Sequence, residues 1–211
     1  MVAHSDGQRL LEVAKNSSSM IVVGLDWRLS PSREVQVDFW MSSGSQEAAQ
    51  FLSSFQPYAQ KLSQNRSTRI LDFIPHYVIV SMPEMVETMC FQEMSWCSED
   101  PDGTGPVTGR DVVEENLRQI CIWEATSKKE YPQDANFETF SWAWWQYVKR
   151  YSEECPVRTT GPKVFGKDCS YKVMDEIPEI RELKGDIQHC ELVEYGRHLQ
   201  LHASAKAWGP L

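Results

Sequence analysis

Six cysteines are the residues best placed to do chemistry in this chain: Cys90, Cys97, Cys121, Cys155, Cys169 and Cys190. An even number suits three disulfides formed in an oxidising compartment, although sequence alone fixes no pairing. Reduced core thiols or a zinc site are the alternatives. No CxxC pair occurs, and His189 beside Cys190 is the only near miss to a zinc pattern. Cys90 and Cys97 are close enough to be bridged and would be the pair of a disulfide exchange enzyme. They lack the tight spacing that tunes a CxxC potential.

Oxygen ligands recur between the second and third cysteines. Counted from Asp100, the residues Asp102, Thr104, Pro106, Thr108 and Asp111 fall at the alternate positions of an EF-hand loop, with Gly105 at the turn. Asp100, Asp102, Thr104 and Asp111 are therefore the calcium candidates. Asp111 is shorter than the usual bidentate Glu, and a polar loop ending in a helix cap explains the same residues. No other cofactor is expected. His76 has no base or nucleophile beside it in sequence, so a structural role or a binding contact is expected of it rather than catalysis. No phosphate loop, nucleophile elbow or HExxH motif is present. In the run from Phe140 to Tyr151, Phe140, Trp144, Val148 and Tyr151 share one helical face, whereas Trp142 and Trp145 point elsewhere. Those two either pack or form an exposed binding patch.

These residues need elements to hold them. With 41% hydrophobic and 24% charged residues, the 211-residue chain is expected to fold as a globular unit. A net charge of −9 and no Lys/Arg cluster oppose nucleic-acid binding. The longest apolar run, Met20 to Leu25, is too short for a membrane span. No basic n-region leads into an apolar h-region after Met1, so no signal peptide is read there. Two sequons begin at Asn16 and Asn65. A short helix over Gln8 to Lys15 and a buried strand over Met20 to Leu25 open the chain. Val35, Val37 and Phe39 alternate with Gln36, Asp38 and Trp40, which predicts a strand. From Ser45 the residues Ala48, Leu52, Phe55, Ala59 and Leu62 form one helical stripe, capped by Ser45 and kinked at Pro57. Ile70 to Met82 predicts strand structure broken by Pro75, with Tyr77 to Val80 as a central strand. Helices are then expected over Glu84 to Ser95, Arg110 to Thr126, Phe137 to Glu153, Cys169 to Ile177 and Pro178 to His189. The α/β class follows from this order.

Several motifs occur in a distinctive order: Gly24-Leu-Asp-Trp-Arg, Val37-Asp-Phe-Trp, Ile74-Pro-His-Tyr-Val-Ile, Cys90 and Cys97, Pro101, then Gly109-Arg-Asp-Val-Val-Glu-Glu-Asn-Leu-Arg-Gln-Ile-Cys121, Trp144-Trp-Gln-Tyr-Val and Glu154-Cys-Pro156. Together they resemble the luminal region of plant-type vacuolar sorting receptors, after their protease-associated domain. The resemblance implies a thioredoxin-like sheet with a large disulfide-bearing helical insertion, located in the lumen of the secretory and endomembrane system or outside the cell and used to hold cargo proteins. Residues 1–83 would form its N-terminal βαβ part, and residues 84–211 the insertion and C-terminal segment. In redox thioredoxins a thiol follows the Phe-Trp tryptophan by four residues and a second lies three further on. Here those positions are Gly44 and Glu47. A low-pKa thiolate at a helix N-terminus supplies the chemistry of such folds, and neither residue replaces it. The apolar-Pro-Thr-apolar signature of the final cis-proline hairpin is also missing; only Leu199 to His202 reads as a late strand.

The expectation is thus a non-catalytic module that binds a protein or peptide, with no nucleic acid partner and no membrane span. A structural subunit of a larger assembly and an exchange enzyme using Cys90 and Cys97 are the alternatives.

Overall fold

A computed structural model describes residues 35–63, 71–80, 88–91, 96–130 and 141–193. The expected helix over Gln8 to Lys15, the strand over Met20 to Leu25, both sequons and the strand over Leu199 to His202 lie outside the described residues. By its contacts the chain divides into two units, Met1–Arg33 and Glu34–Leu211, and the described residues all belong to the second.

Alternation in the first described segment produces β1, Val35–Met41, whose Val37, Phe39 and Met41 turn inward. The chain then caps a helix locally. The Ala48 N–H donates to Ser45 Oγ at 3.2 Å, starting α1, Gln46–Ser63. Its apolar stripe packs as the spacing predicts: Leu52 and Ala59 are fully buried, and Ala48, Phe55 and Leu62 pack beside them. Pro57 sits on the exposed side of the helix, which continues through it. β2, Leu71–Tyr77, returns parallel to β1 with Val35 opposite Leu71 and Met41 opposite Tyr77. The βαβ unit is complete.

Three expectations need correction here. The strand runs through Pro75, and Tyr77 to Val80 is not a buried central strand: Val78 and Val80 are 45% and 40% exposed. Of the predicted helix over Glu84 to Ser95 only residues 88–91 are described, and these are not helical: β3, Cys90–Phe91, pairs antiparallel with β4, Trp96–Cys97. Backbone groups here are satisfied from a distance. Ser98 N–H donates to the Met89 carbonyl and Arg110 N–H to that of Thr88, and Val80 bridges Cys97.

Five helices follow among the described residues: α2, Gly109–Glu130; α3, Trp142–Glu154; α4, Lys167–Glu176; α5, Pro178–Glu182; and α6, Lys184–Val193. Thr108 and Asp111 cap α2 reciprocally, each side chain accepting the other's backbone N–H. α3 starts at Trp142, where Ser141 is extended and accepts the Trp144 N–H on its hydroxyl; residues 137–140 of the expected helix lie outside the described residues. The last expected helix is two, divided at Leu183. Gly166 precedes α4 at φ 119°, where a side chain would be strained.

The core lies between the βαβ unit and the helices. Phe73 of β2 meets both Trp144 and Trp145, and Trp144 packs edge-on against Trp123 and Trp145. A buried polar chain runs beside this aromatic layer. Tyr77 donates to Gln119, Gln119 and Tyr147 donate to Glu115, and Arg118 pairs with both Glu115 and Glu191. Burial pushes the Glu115 carboxyl up, against the opposing pull of Arg118. Three disulfides, Cys90–Cys97, Cys121–Cys190 and Cys155–Cys169, tie β3 to β4, α2 to α6 and the end of α3 to α4. All six cysteines are thereby paired, which corrects the alternative of reduced core thiols and leaves no cysteine thiolate to ligate zinc.

Candidate functional site

The turn from β1 to α1 is where a thioredoxin-like fold carries its chemistry. Four bonds shape it. Ser45 N–H donates to the Ser42 carbonyl, Gly44 N–H to Ser42 Oγ, Ser43 N–H to Asn116 Oδ1 at 2.8 Å, and Ser43 Oγ to the Val112 carbonyl at 3.2 Å. α2 thus covers one side of the turn. A Cβ placed on Gly44 would stand 2.9 Å from Val112 Cγ2 and 3.2 Å from Pro101 Cβ, so the first of the two thiol positions is closed by packing as well as by its residue type. The second, Glu47, is exposed and accepts a hydrogen bond from Ser45 Oγ.

Beside this turn lies an open groove of about 900 Å³, walled by Trp40, Phe51, Val78, Val80 and Pro101 and edged by Glu47, Glu99 and Asp100. Trp40 and Phe51 are 55% and 45% exposed, an unusual fraction for such large apolar side chains. They are nevertheless fixed in place. Phe39 stacks on Phe51 at 4.8 Å, and His76 stacks on Trp40 at 4.6 Å. His76 Nε2 also meets Asp38 Oδ1 at 2.8 Å, which orients the ring. His76 therefore supports a groove residue and does not line the groove itself. A second cavity, about 510 Å³, lies on the far side of the turn between α1 and the end of α3, and Ser53, Ser54, Tyr151 and Pro156 help line it.

The other sequence candidates are placed differently. Trp145 is 1% exposed, packed against Phe73 and Phe55, so it belongs to the core and offers no surface. Trp142 is half-buried against the same core. The calcium candidates do not converge: Asp100 accepts the N–H groups of Asp102 and Gly103, Asp102 folds beneath Gly105 to take the Val107 N–H, and Asp111 bonds Thr108 and Lys163. Among the described residues no three His, Cys, Asp or Glu side chains form a group able to hold a metal. The loop is an Asx turn leading into a helix cap. Cys90 and Cys97, the candidate exchange pair, are bonded to each other and 6% and 0% exposed.

Asn116 escaped the sequence reading. It is fully buried, accepts from Ser43 and donates to the Val78 carbonyl at 3.4 Å, joining the β1–α1 turn to the Val78 wall of the groove. The available signal was an Asn set among apolar positions of the longest helix. Among the described residues no helix is long and apolar enough to cross a membrane.

Comparison with known proteins agrees with this geometry. The family model of the vacuolar sorting receptor thioredoxin-like domain matches residues 35–198. Vacuolar-sorting receptor 1 of Pisum sativum is 28% identical over 208 residues, 88% of this chain and 31% of the receptor. Vacuolar-sorting receptor 2 of Arabidopsis thaliana is 30% identical, covering 78% of this chain and 27% of the receptor, and vacuolar-sorting receptor 4 is 27% identical, covering 84% and 28%. The chain spans about a third of the length of these relatives. No solved structure matches. From its motifs, its βαβ unit and the family model's match to most of its length, the chain belongs to the vacuolar sorting receptor thioredoxin-like domain family.

Proposed function

We propose that this domain is a non-catalytic module that binds protein or peptide cargo in the lumen of the secretory and endomembrane system. The groove beside the β1–α1 turn carries the proposal: two large aromatics, Trp40 and Phe51, are held exposed next to the turn on which related folds carry a reactive thiol. Aromatic anchors fixed by neighbouring rings lose little entropy on binding, which favours recognition of an apolar side chain. The three disulfides suit an oxidising lumen. The names of the relatives support a sorting role, in which the domain acts within a larger receptor.

The test uses peptides selected from a random library on the immobilised chain and then titrated by NMR. Shift changes should cluster at Trp40, Phe51 and Val80, and Trp40→Ser should abolish binding while Trp142→Phe leaves it intact. Peptides whose shifts map to the α3 face and survive Trp40→Ser would overturn the assignment of the site.

A further inference from the structure

We infer that the groove selects peptides in which an apolar side chain is flanked by Lys or Arg. This rests on the groove being a binding site, as proposed above. Its apolar floor is bordered by Glu47, Glu99 and Asp100, and among the described residues no Lys or Arg lines it. Two of these carboxylates are positioned by local bonds: Asp100 Oδ1 accepts two backbone N–H groups, and Glu47 accepts from Ser45. An acidic rim around an aromatic anchor repels acidic partners and attracts basic ones, so charge sets which apolar peptide enters.

The mode of capture is also defined. The N–H of Val78 already donates to the Met41 carbonyl, and that of Val80 to the Cys97 carbonyl. This wall therefore has neither of those donors left for pairing with an added strand, and recognition falls to side chains rather than to β-augmentation.

The experiment measures anisotropy of three labelled peptides of equal length on the full chain. Each carries one central Phe, flanked by Lys and Arg, by Ser, or by Glu. The basic peptide should bind about tenfold more tightly than the neutral one, the size expected for several part-exposed ion pairs acting together. The variant Glu47→Gln/Glu99→Gln/Asp100→Asn, which keeps the Asp100 oxygen for its turn, should reduce this preference to near unity with an unchanged circular dichroism spectrum. Added salt should narrow the preference in the wild type. Equal, Trp40-dependent binding of the basic and neutral peptides would overturn the charge inference and leave the binding site standing. Absence of any Trp40-dependent binding would remove both, as would self-association of the chain that buries Trp40 and excludes every peptide.

Discussion

Substituting Gly44 tests whether the turn is closed by packing or merely lacks a thiol. In Gly44→Ala the new Cβ lies 2.9 Å from Val112 Cγ2 and 3.2 Å from Pro101 Cβ. Val112 is fully buried and β-branched, so its methyl cannot swing aside without leaving its rotamer. Overpacking of this kind costs about 1–3 kcal/mol. Against it, Ala restricts the unfolded chain and returns about 0.4–1 kcal/mol. The expected net loss is about 1–2 kcal/mol by urea unfolding, read at constant slope. Val112→Ala should cost less in the Gly44→Ala background than alone, because it removes the clash, giving a coupling of about 1 kcal/mol. The double variant Gly44→Cys/Glu47→Cys should then fail to reduce insulin above background, since its first sulfur is overlaid by Val112 and Pro101. A Gly44→Ala protein as stable as the wild type would refute the packing argument, and restored turnover would refute the inaccessibility of the site.

Other perturbations separate long-range from local support. Cys121→Ser/Cys190→Ser opens a cross-link spanning 69 residues and should cost about 4 kcal/mol by chain entropy, against about 3 kcal/mol for Cys155→Ser/Cys169→Ser, which spans 14. Urea midpoints of the two variants should fall in that order. The Asp111 carboxyl is pushed up by burial, but hydrogen bonds from Lys163 and Thr108 outweigh this and hold it below its ordinary value. Its stabilisation is therefore present above the unfolded value near about 4 and is lost as pH falls through the lowered folded value. Asp111→Asn should be less stable than wild type at pH 7 and close on it in acid, whereas a gap independent of pH would contradict the assignment.

Local signals were legible and long-range ones were not. The alternation over Val35 to Trp40, the stripe from Ala48 to Leu62 and the Ser45 cap depend on neighbours in sequence, and the structure contains each of them. The hairpin at Cys90 and Cys97 depends on Val80, Ser98 and Arg110, whose backbone groups outcompete a helical pattern in the same residues. For Trp145 the spacing left packing and an exposed patch both open, because it lies off the stripe of Phe140, Trp144, Val148 and Tyr151. Ala143, Trp144, Trp145, Tyr147, Val148 and Tyr151 are all buried, since α3 packs against α1, α2 and α4 and its two tryptophans also meet Phe73 of β2. The spacing of Asp100, Asp102 and Asp111 was real, but backbone donors within the loop claim the carboxylates before an ion could. At the groove, Gly44 and Glu47 showed what was missing; the exposure of Trp40 required the third dimension.

Asn116 connects the scaffold to the groove, and its role can be distinguished from simple stability. Its side chain satisfies the Ser43 N–H of the turn and reaches the Val78 carbonyl of the groove wall. In Asn116→Ala the Ser43 N–H loses its partner, which costs about 1–3 kcal/mol when buried, and the turn and that wall lose their only shared side chain among the bonds described. Ser170→Ala offers a matched control, because it breaks the buried bond to Tyr147 outside the groove at a similar cost. Both variants should lower the urea midpoint. Only Asn116→Ala should weaken binding of the peptides selected above, under conditions where both proteins remain folded, and only it should accelerate hydrogen exchange at Ser43. Asn116→Asp keeps the acceptor for Ser43 but lacks the donor to Val78, so it should restore slow exchange at Ser43 without fully restoring affinity. Equal loss of affinity in Ser170→Ala and Asn116→Ala would mean that binding tracks global stability, and that Asn116 does not position the groove.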